Sequence, residues 1–105
     1  MKLSILFALS LMLPGMAGAD DTIASNRLQE LQNLLIQDCG SCHGLKMKGG
    51  LGPALLPSTL KGKSAEFITS TILDGRPGTA MPGWKPLLSE SEARWMADQL
   101  LSEKQ

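Results

Sequence analysis

Tyrosine is absent from this 105-residue chain, histidine occurs once and cysteine twice. Two Cys and one His fall short of the four ligands a structural zinc requires. No segment alternates apolar and polar residues as a half-buried strand does, and there is no internal repeat or low-complexity tract. The one apolar run, residues 3–13, is shorter than the roughly 20 residues of a membrane-spanning helix. Ten basic side chains balance ten acidic ones, which leaves no electrostatic footprint for nucleic acid or an anionic membrane. No acid–base pair or activated nucleophile stands out, so the chain does not read as an enzyme.

The first 19 residues have the order of a secretory signal peptide. Lys2 supplies the positive end, residues 3–13 the apolar region, Pro14 and Gly15 the break, and Ala17-Gly18-Ala19 the small-residue cleavage site. An uncleaved anchor is the alternative. Cleavage predicts one mature domain over residues 20–105, in the periplasm. A domain of that size has little core of its own and usually needs a staple.

The remaining chemistry is concentrated in Cys39-Gly40-Ser41-Cys42-His43. Two cysteines three positions apart, followed at once by histidine, form the attachment motif of a c-type haem. One helical turn lets each thiol reach one vinyl group of the same porphyrin, and His43 is directed at the iron. A thioredoxin-like redox pair would need a βαβ context that is missing. A plain disulfide between Cys39 and Cys42 is the remaining alternative. A covalently attached macrocycle would be the staple the short chain needs.

Around the motif the sequence predicts helices separated by long loops. The first should run over residues 26–38, with Ser25 as N-cap and Leu28, Leu31, Leu34 and Leu35 inward. Residues 44–62 are a breaker-rich loop in which Leu51, Leu55, Leu56 and Leu60 are expected to line a pocket. A second helix should follow Ser64 and stop at Gly75, with Phe67, Ile68, Thr71 and Ile72 inward. After a second Pro/Gly-rich loop, Ser89 and Glu92 form a capping box. It opens a last helix with Trp95, Met96, Leu100 and Leu101 as its apolar set, and Leu88 placed to staple against Ala93.

A haem held by His43 has a sixth iron position. Met47 is four residues away, a span of about 14 Å at full extension, and must wrap the porphyrin edge to reach it. Met96 falls on the inner face of the last helix, where methionine is normally core filler. Met81, in a loop stiffened by Pro82, is the strongest candidate. A lysine, water or no sixth ligand remain open.

In this order, the motif at residues 39–43, Gly52-Pro53-Ala54-Leu55, Met81-Pro82-Gly83-Trp84 and Leu88-Ser89 resemble class I monohaem cytochromes c over the whole mature chain. The resemblance implies an all-α fold of three main helices and long loops wrapped round one haem c. It implies His43 and Met81 as axial ligands, and a Pro53 carbonyl that accepts from the far ring nitrogen of His43. Trp84 should pack at the haem periphery, with simple core packing as the alternative. The family often crosses its first and last helices through a glycine and two aromatics. Leu31, Leu35 and Gln99 stand there in this chain. Within the family, the chain is most similar to the small periplasmic cytochromes that accompany haem-cd nitrite reductase in denitrifying bacteria. That implies a monomeric electron carrier with a periplasmic redox partner such as that reductase. A maturation factor for the reductase's special haem and a five-coordinate ligand-binding haem protein are the alternatives. Lys46, Lys48, Lys61, Lys63 and Lys85 fall in loops near the expected haem edge. Their default reading is solvated charge, and steering of an acidic partner is the other.

Mass spectrometry of the exported protein should show one haem added to the chain beginning near Asp20, and Cys42→Ala should leave at most one thioether. An apoprotein mass with a disulfide between Cys39 and Cys42 would exclude the motif reading.

Overall fold

The computed structural model describes residues 22–102, together with Met12 and Gly15. The signal-peptide reading of residues 1–19 lies otherwise outside the described residues. The order is α1 (Ser25–Leu34), a π-helical turn (Leu35–Cys39), α2 (Gly40–His43), α3 (Ala65–Asp74) and α4 (Glu90–Leu101), with no strand among the described residues. The architecture is all-α, as the sequence predicts.

α1, the π turn and α2 form one continuous rod. Ser25 is already helical. The N-cap is Ala24, which offers no side-chain oxygen, so the expected Ser25 cap is not made. The apolar spacing is as read, with Leu31 and Leu35 buried. After Leu35 the ladder changes. Gly40 N–H donates to Leu35 O, an i→i+5 bond that takes in one extra residue. That residue rotates all that follows by about 100° relative to the Leu31–Leu35 stripe.

α3 starts where Ser64 Oγ accepts from Phe67 N–H at 3.0 Å. It stops at Gly75, whose φ of 68° suits a residue without a Cβ. Ile68, Thr69 and Ile72 face inward, and Thr69 satisfies its hydroxyl by donating to Ala65 O at 2.7 Å. Phe67 is not part of that face. It is 55% exposed, and the Lys63 ammonium lies over its ring at 5.1 Å. A cation over the ring face stabilises an aromatic left in water.

α4 is the element on which the others pack. The capping box forms in full: Glu92 N–H donates to Ser89 Oγ at 3.2 Å, and Ser89 N–H to Glu92 Oε1 at 2.9 Å. Ala93, Met96 and Ala97 are fully buried, and Leu88 just before the helix is buried with them. Two alanines one turn apart let neighbouring backbones approach closely. α3 packs against α4 over most of its length, and α1 touches α4. Leu31, Leu35, Met47, Leu60, Ile68, Ile72 and Leu100 complete the core around it. At the α1–α4 contact Leu31 and Leu35 are buried as expected, and Gln99 is half-buried. The aromatic on this side is Trp95, which shares a surface groove with Leu28.

Arginines tie the ends. Arg27 Nε pairs with the Glu92 carboxylate, and Arg27 Nη2 donates to Leu87 O at 3.2 Å, fastening α1 to the start of α4. Arg94 pairs with Glu66 at 3.1 Å, fastening α3 to α4.

The Arg27 guanidinium, then the Ser89 backbone N–H, hold the Glu92 carboxyl below the usual carboxylate range. A lowered folded-state value contributes stability that is complete above the unfolded value, about 4.3, and disappears as pH falls through the folded one. The Tm of haem-loaded Glu92→Gln should therefore lie below wild type at pH 7, and the gap should close as the pH is taken towards 3. Ser89→Ala should cost about 1 kcal/mol in denaturant unfolding.

Candidate haem-attachment site

The attachment motif straddles the end of the π turn and α2, so Cys39, Cys42 and His43 lie within little more than one helical turn. Gly40 is buried where the loop folds back on the helix. A Cβ there would stand 3.3 Å from Leu45 Cα. Ser41 Oγ donates to Asp38 O at 2.7 Å, holding the turn closed on its outer side.

Both cysteine sulfurs are free, Cys39 half-buried and Cys42 exposed. Burial, with a smaller contribution from the Asp38 carboxylate, pushes the Cys39 thiol up to about 11. Among the described residues no group of three or more His, Cys, Asp or Glu is arranged to hold a metal ion.

His43 is aligned by the loop that follows it. Its Nδ1 lies 2.7 Å from Pro53 O. A carbonyl only accepts, so Nδ1 carries the proton and donates, which leaves the Nε2 lone pair free. Pro53 has no N–H to compete for the contact. The loop reaches the ring because its backbone bonds to the motif: Gly49 N–H donates to His43 O at 2.8 Å and Gly52 N–H to Cys42 O at 2.8 Å. Gly52 lies flat against the imidazole, where a Cβ would stand 2.8 Å from both Cε1 and Nδ1. The resemblance implied the Pro53 contact. The need for glycine at position 52 was missed, and the Gly-Pro pair was its only signal.

Part of this loop packs inward. Leu60 is buried, and Leu55 and Leu56 pack against the core. Leu51 does not join them, being 95% exposed. Its peptide is held outward by Gly50 N–H donating to Gly52 O at 3.0 Å across it. Met47 takes the buried position, with a left-handed φ of 56° that turns its side chain into the core.

The second arm carries Met81 and Trp84. It closes on itself through Arg76 N–H to Met81 O at 3.2 Å. It closes on α3 through Trp84 N–H to Ile72 O at 2.9 Å and Lys85 N–H to Leu73 O at 3.1 Å. These donors satisfy carbonyls that the end of a helix leaves unpaired. Gly75 and Gly83 make the seam. A Cβ on Gly75 would stand 2.6 Å from Gly83 N, and one on Gly83 2.7 Å from Leu73 O. Met81 is half-buried, and Trp84 packs against the core. The structure thus brings Cys39, Cys42, His43 and Pro53 together in one arm, and Met81 and Trp84 in another.

The donor set fits one c-type haem. It has two thiols on one helical passage, one imidazole with a fixed tautomer, and a glycine cradle that a Cβ would fill. Gly52→Ala should push the His43 ring off Pro53 and cost about 1–3 kcal/mol in unfolding of the haem-loaded protein. The Nδ1 proton of His43 should then exchange faster with solvent by NMR.

The family model described as cytochrome c oxidase, cbb3-type, subunit III matches residues 26–99. Cytochrome c55X of Paracoccus denitrificans is 59% identical over 75 residues, which covers 71% of this chain and 73% of that protein. The solved structure of a c-type cytochrome NirC aligns with a TM-score of 0.76 at 50% identity, over 78% of this chain and 96% of that one. That of the dihydro-heme d1 dehydrogenase NirN in complex with DHE aligns with a TM-score of 0.63 at 35% identity, over 68% of this chain and 15% of that one. Shared fold, high identity and full coverage of a small cytochrome agree with the geometry of the attachment turn. This chain belongs to the cytochrome c55X family of c-type cytochromes, electron-transfer proteins rather than enzymes, which carry covalently bound haem c.

Proposed function

We propose that this protein carries single electrons in the periplasm, with Cys39 and Cys42 as the thioether donors and His43 and Met81 as the axial ligands of its haem. The observation that supports the reading most directly is the 2.7 Å contact between His43 Nδ1 and Pro53 O. A ligating histidine needs such a partner to fix its tautomer and orientation. Bound haem c supplies a one-electron couple at iron. The chain's part is to hold the ligands in one geometry in both oxidation states. Backbone bonds from Gly49 and Gly52 hold His43, and those from Trp84 and Lys85 hold the Met81 loop. Met81 is favoured because Met47 and Met96 are committed to the core, at 6% and 0% exposure. Trp84, close to Met81 and packed on the core, is proposed as a contact at the haem periphery. Among the described residues no helix is long and apolar enough to cross a membrane. Release after residue 19 would deliver the carrier to the periplasm.

The partner favoured by the family resemblance is a denitrification enzyme such as haem-cd nitrite reductase, to which the carrier donates. A second reading, service in maturation of the reductase's special haem, is favoured by the likeness to a dihydro-heme d1 dehydrogenase. A dehydrogenation releases two electrons, and a one-haem protein accepts them one at a time. A strain lacking this protein separates the two. Reductase activity restored by an added electron donor means a carrier, and inactive reductase lacking its special haem means a maturation role.

Met81→Ala should leave the fold intact, abolish the far-red thioether–iron absorption of the oxidised protein and lower the reduction potential. Met47→Ala and Met96→Ala should keep that absorption while losing about 2–5 kcal/mol of stability as buried methionines. Retention of the band in Met81→Ala with its loss in either control would move the ligand to that residue. A wild-type protein without the band would favour the five-coordinate, ligand-binding alternative.

A further inference from the structure

The two ligand arms hang from different helices. His43 ends the rod that starts at Ser25, and Met81 lies in the loop between α3 and α4. The Trp84 and Lys85 N–H groups tie that loop to α3. A side chain of α1 ties it to the rod. After Met81 the chain runs through Trp84 into a tight turn, in which Leu87 N–H donates to Trp84 O at 2.9 Å and Leu88 N–H to the same oxygen at 3.0 Å. The Leu87 carbonyl lies ahead of the first one that α4 uses, since Ala93 N–H donates to Ser89 O. It is met instead by Arg27, whose Nη2 donates to it at 3.2 Å.

Arg27 is held in place for that contact. Its Nη1 pairs with Glu30 at 2.8 Å on its own helix, and its Nε pairs with Glu92 on α4. Glu92 is fixed in turn by the Ser89 N–H, which donates to it at 2.9 Å. Three nitrogens of one planar group thus meet three acceptors on different segments. A lone exposed ion pair contributes little, and a network on a guanidinium fork is the exception. With two carboxylates aiming the fork, the remaining nitrogen is presented to Leu87. Arg27 itself stands sixteen residues before His43, about 24 Å along a helical rod. Any effect it has on the iron therefore passes through the chain rather than through contact.

We infer that Arg27 is a positioning residue for the sixth iron ligand: its hold on the Leu87 carbonyl keeps the Met81 loop closed and so sets how often the Met81–iron bond is released. The inference rests on the reading of Met81 as that ligand. Segments beside a site open locally at a free energy well below that of global unfolding. Loss of a tether on such a segment shows in its opening before it shows in the fold.

The experiment is displacement of Met81 by imidazole in the haem-loaded, ferric protein, followed through loss of the far-red band. At high imidazole the rate levels off at the rate at which the loop opens. Arg27→Met keeps an unbranched apolar stem and removes the fork, and it should raise that limiting rate roughly tenfold, the loss of one charge-assisted hydrogen bond. Ser64→Ala removes the cap at the end of α3 remote from the Met81 loop. It should lower the denaturant midpoint and leave the limiting rate near wild type. Arg27→Lys keeps the charge beside Glu92, but an ammonium lacks the fork that serves all three acceptors, so it should quicken opening as well. A wild-type limiting rate in Arg27→Met would overturn the inference. Equal quickening by Ser64→Ala would also overturn it, because general loosening would then suffice. A wild-type rate in Arg27→Lys would overturn the role of the Leu87 carbonyl and leave charge alone. If Arg27→Met takes up no haem, Arg27→Lys decides by the same measurement. Failure of the Met81 reading looks different: the band would be missing from wild type or retained in Met81→Ala.

Discussion

The hydrogen bond from His43 Nδ1 to Pro53 O is the contact on which the site depends. It fixes which ring nitrogen is free and where that nitrogen points. Its length follows from features on both sides. Helix α2 ends at His43, and the chain must double back within ten residues to bring Pro53 over the ring. Gly52 makes that approach possible by presenting no side chain to the imidazole. Met47 secures the return by inserting into the core midway. A 2.7 Å contact between residues ten apart is thus held at its middle by a buried methionine and at its ends by backbone bonds.

The other arm is held without side chains. Gly75 ends α3 with a left-handed residue, and Gly83 returns to lie against it, so two backbones touch where a Cβ on either would collide. The loop that carries Met81 is consequently an extension of the α3 hydrogen-bond ladder. α3 is fixed by α4, through Ile68 and Ile72 and through Arg94 and Glu66. α4 also receives α1 through Arg27 and the core around Leu31. Both arms therefore trace to one helix, and the fully buried Ala93, Met96 and Ala97 of α4 position them together.

What could be read from the sequence was local chemistry with strong spacing rules. The attachment motif, the Ser64 and Ser89 caps, the Gly75 stop and the buried stripe of α4 follow from side chains within a turn of each other. The Pro53 contact was anticipated only through family resemblance, since nothing in the residues dictates which carbonyl meets His43. What was misread depended on distant partners. Ser25 has the side chain of a cap, yet the helix already includes it and its N-cap is Ala24. Phe67 is apolar and falls on the expected inner spacing, but it is 55% exposed with the Lys63 ammonium over its ring. The Gly75–Gly83 seam carries no signal in either residue alone.

The π turn at Leu35–Cys39 has a consequence of a different kind. A regular helix locks every residue on it to a single phase, so a change that turns one face turns them all. One wide turn resets that phase. The stripe that α1 gives to the core and the face that carries Cys39, Cys42 and His43 share a backbone, but each has its own register. The offset lets the core stripe and the attachment face point in different directions from one continuous rod. A shortening of the rod by one residue inside that turn would swing the attachment face by about 100° relative to the core stripe.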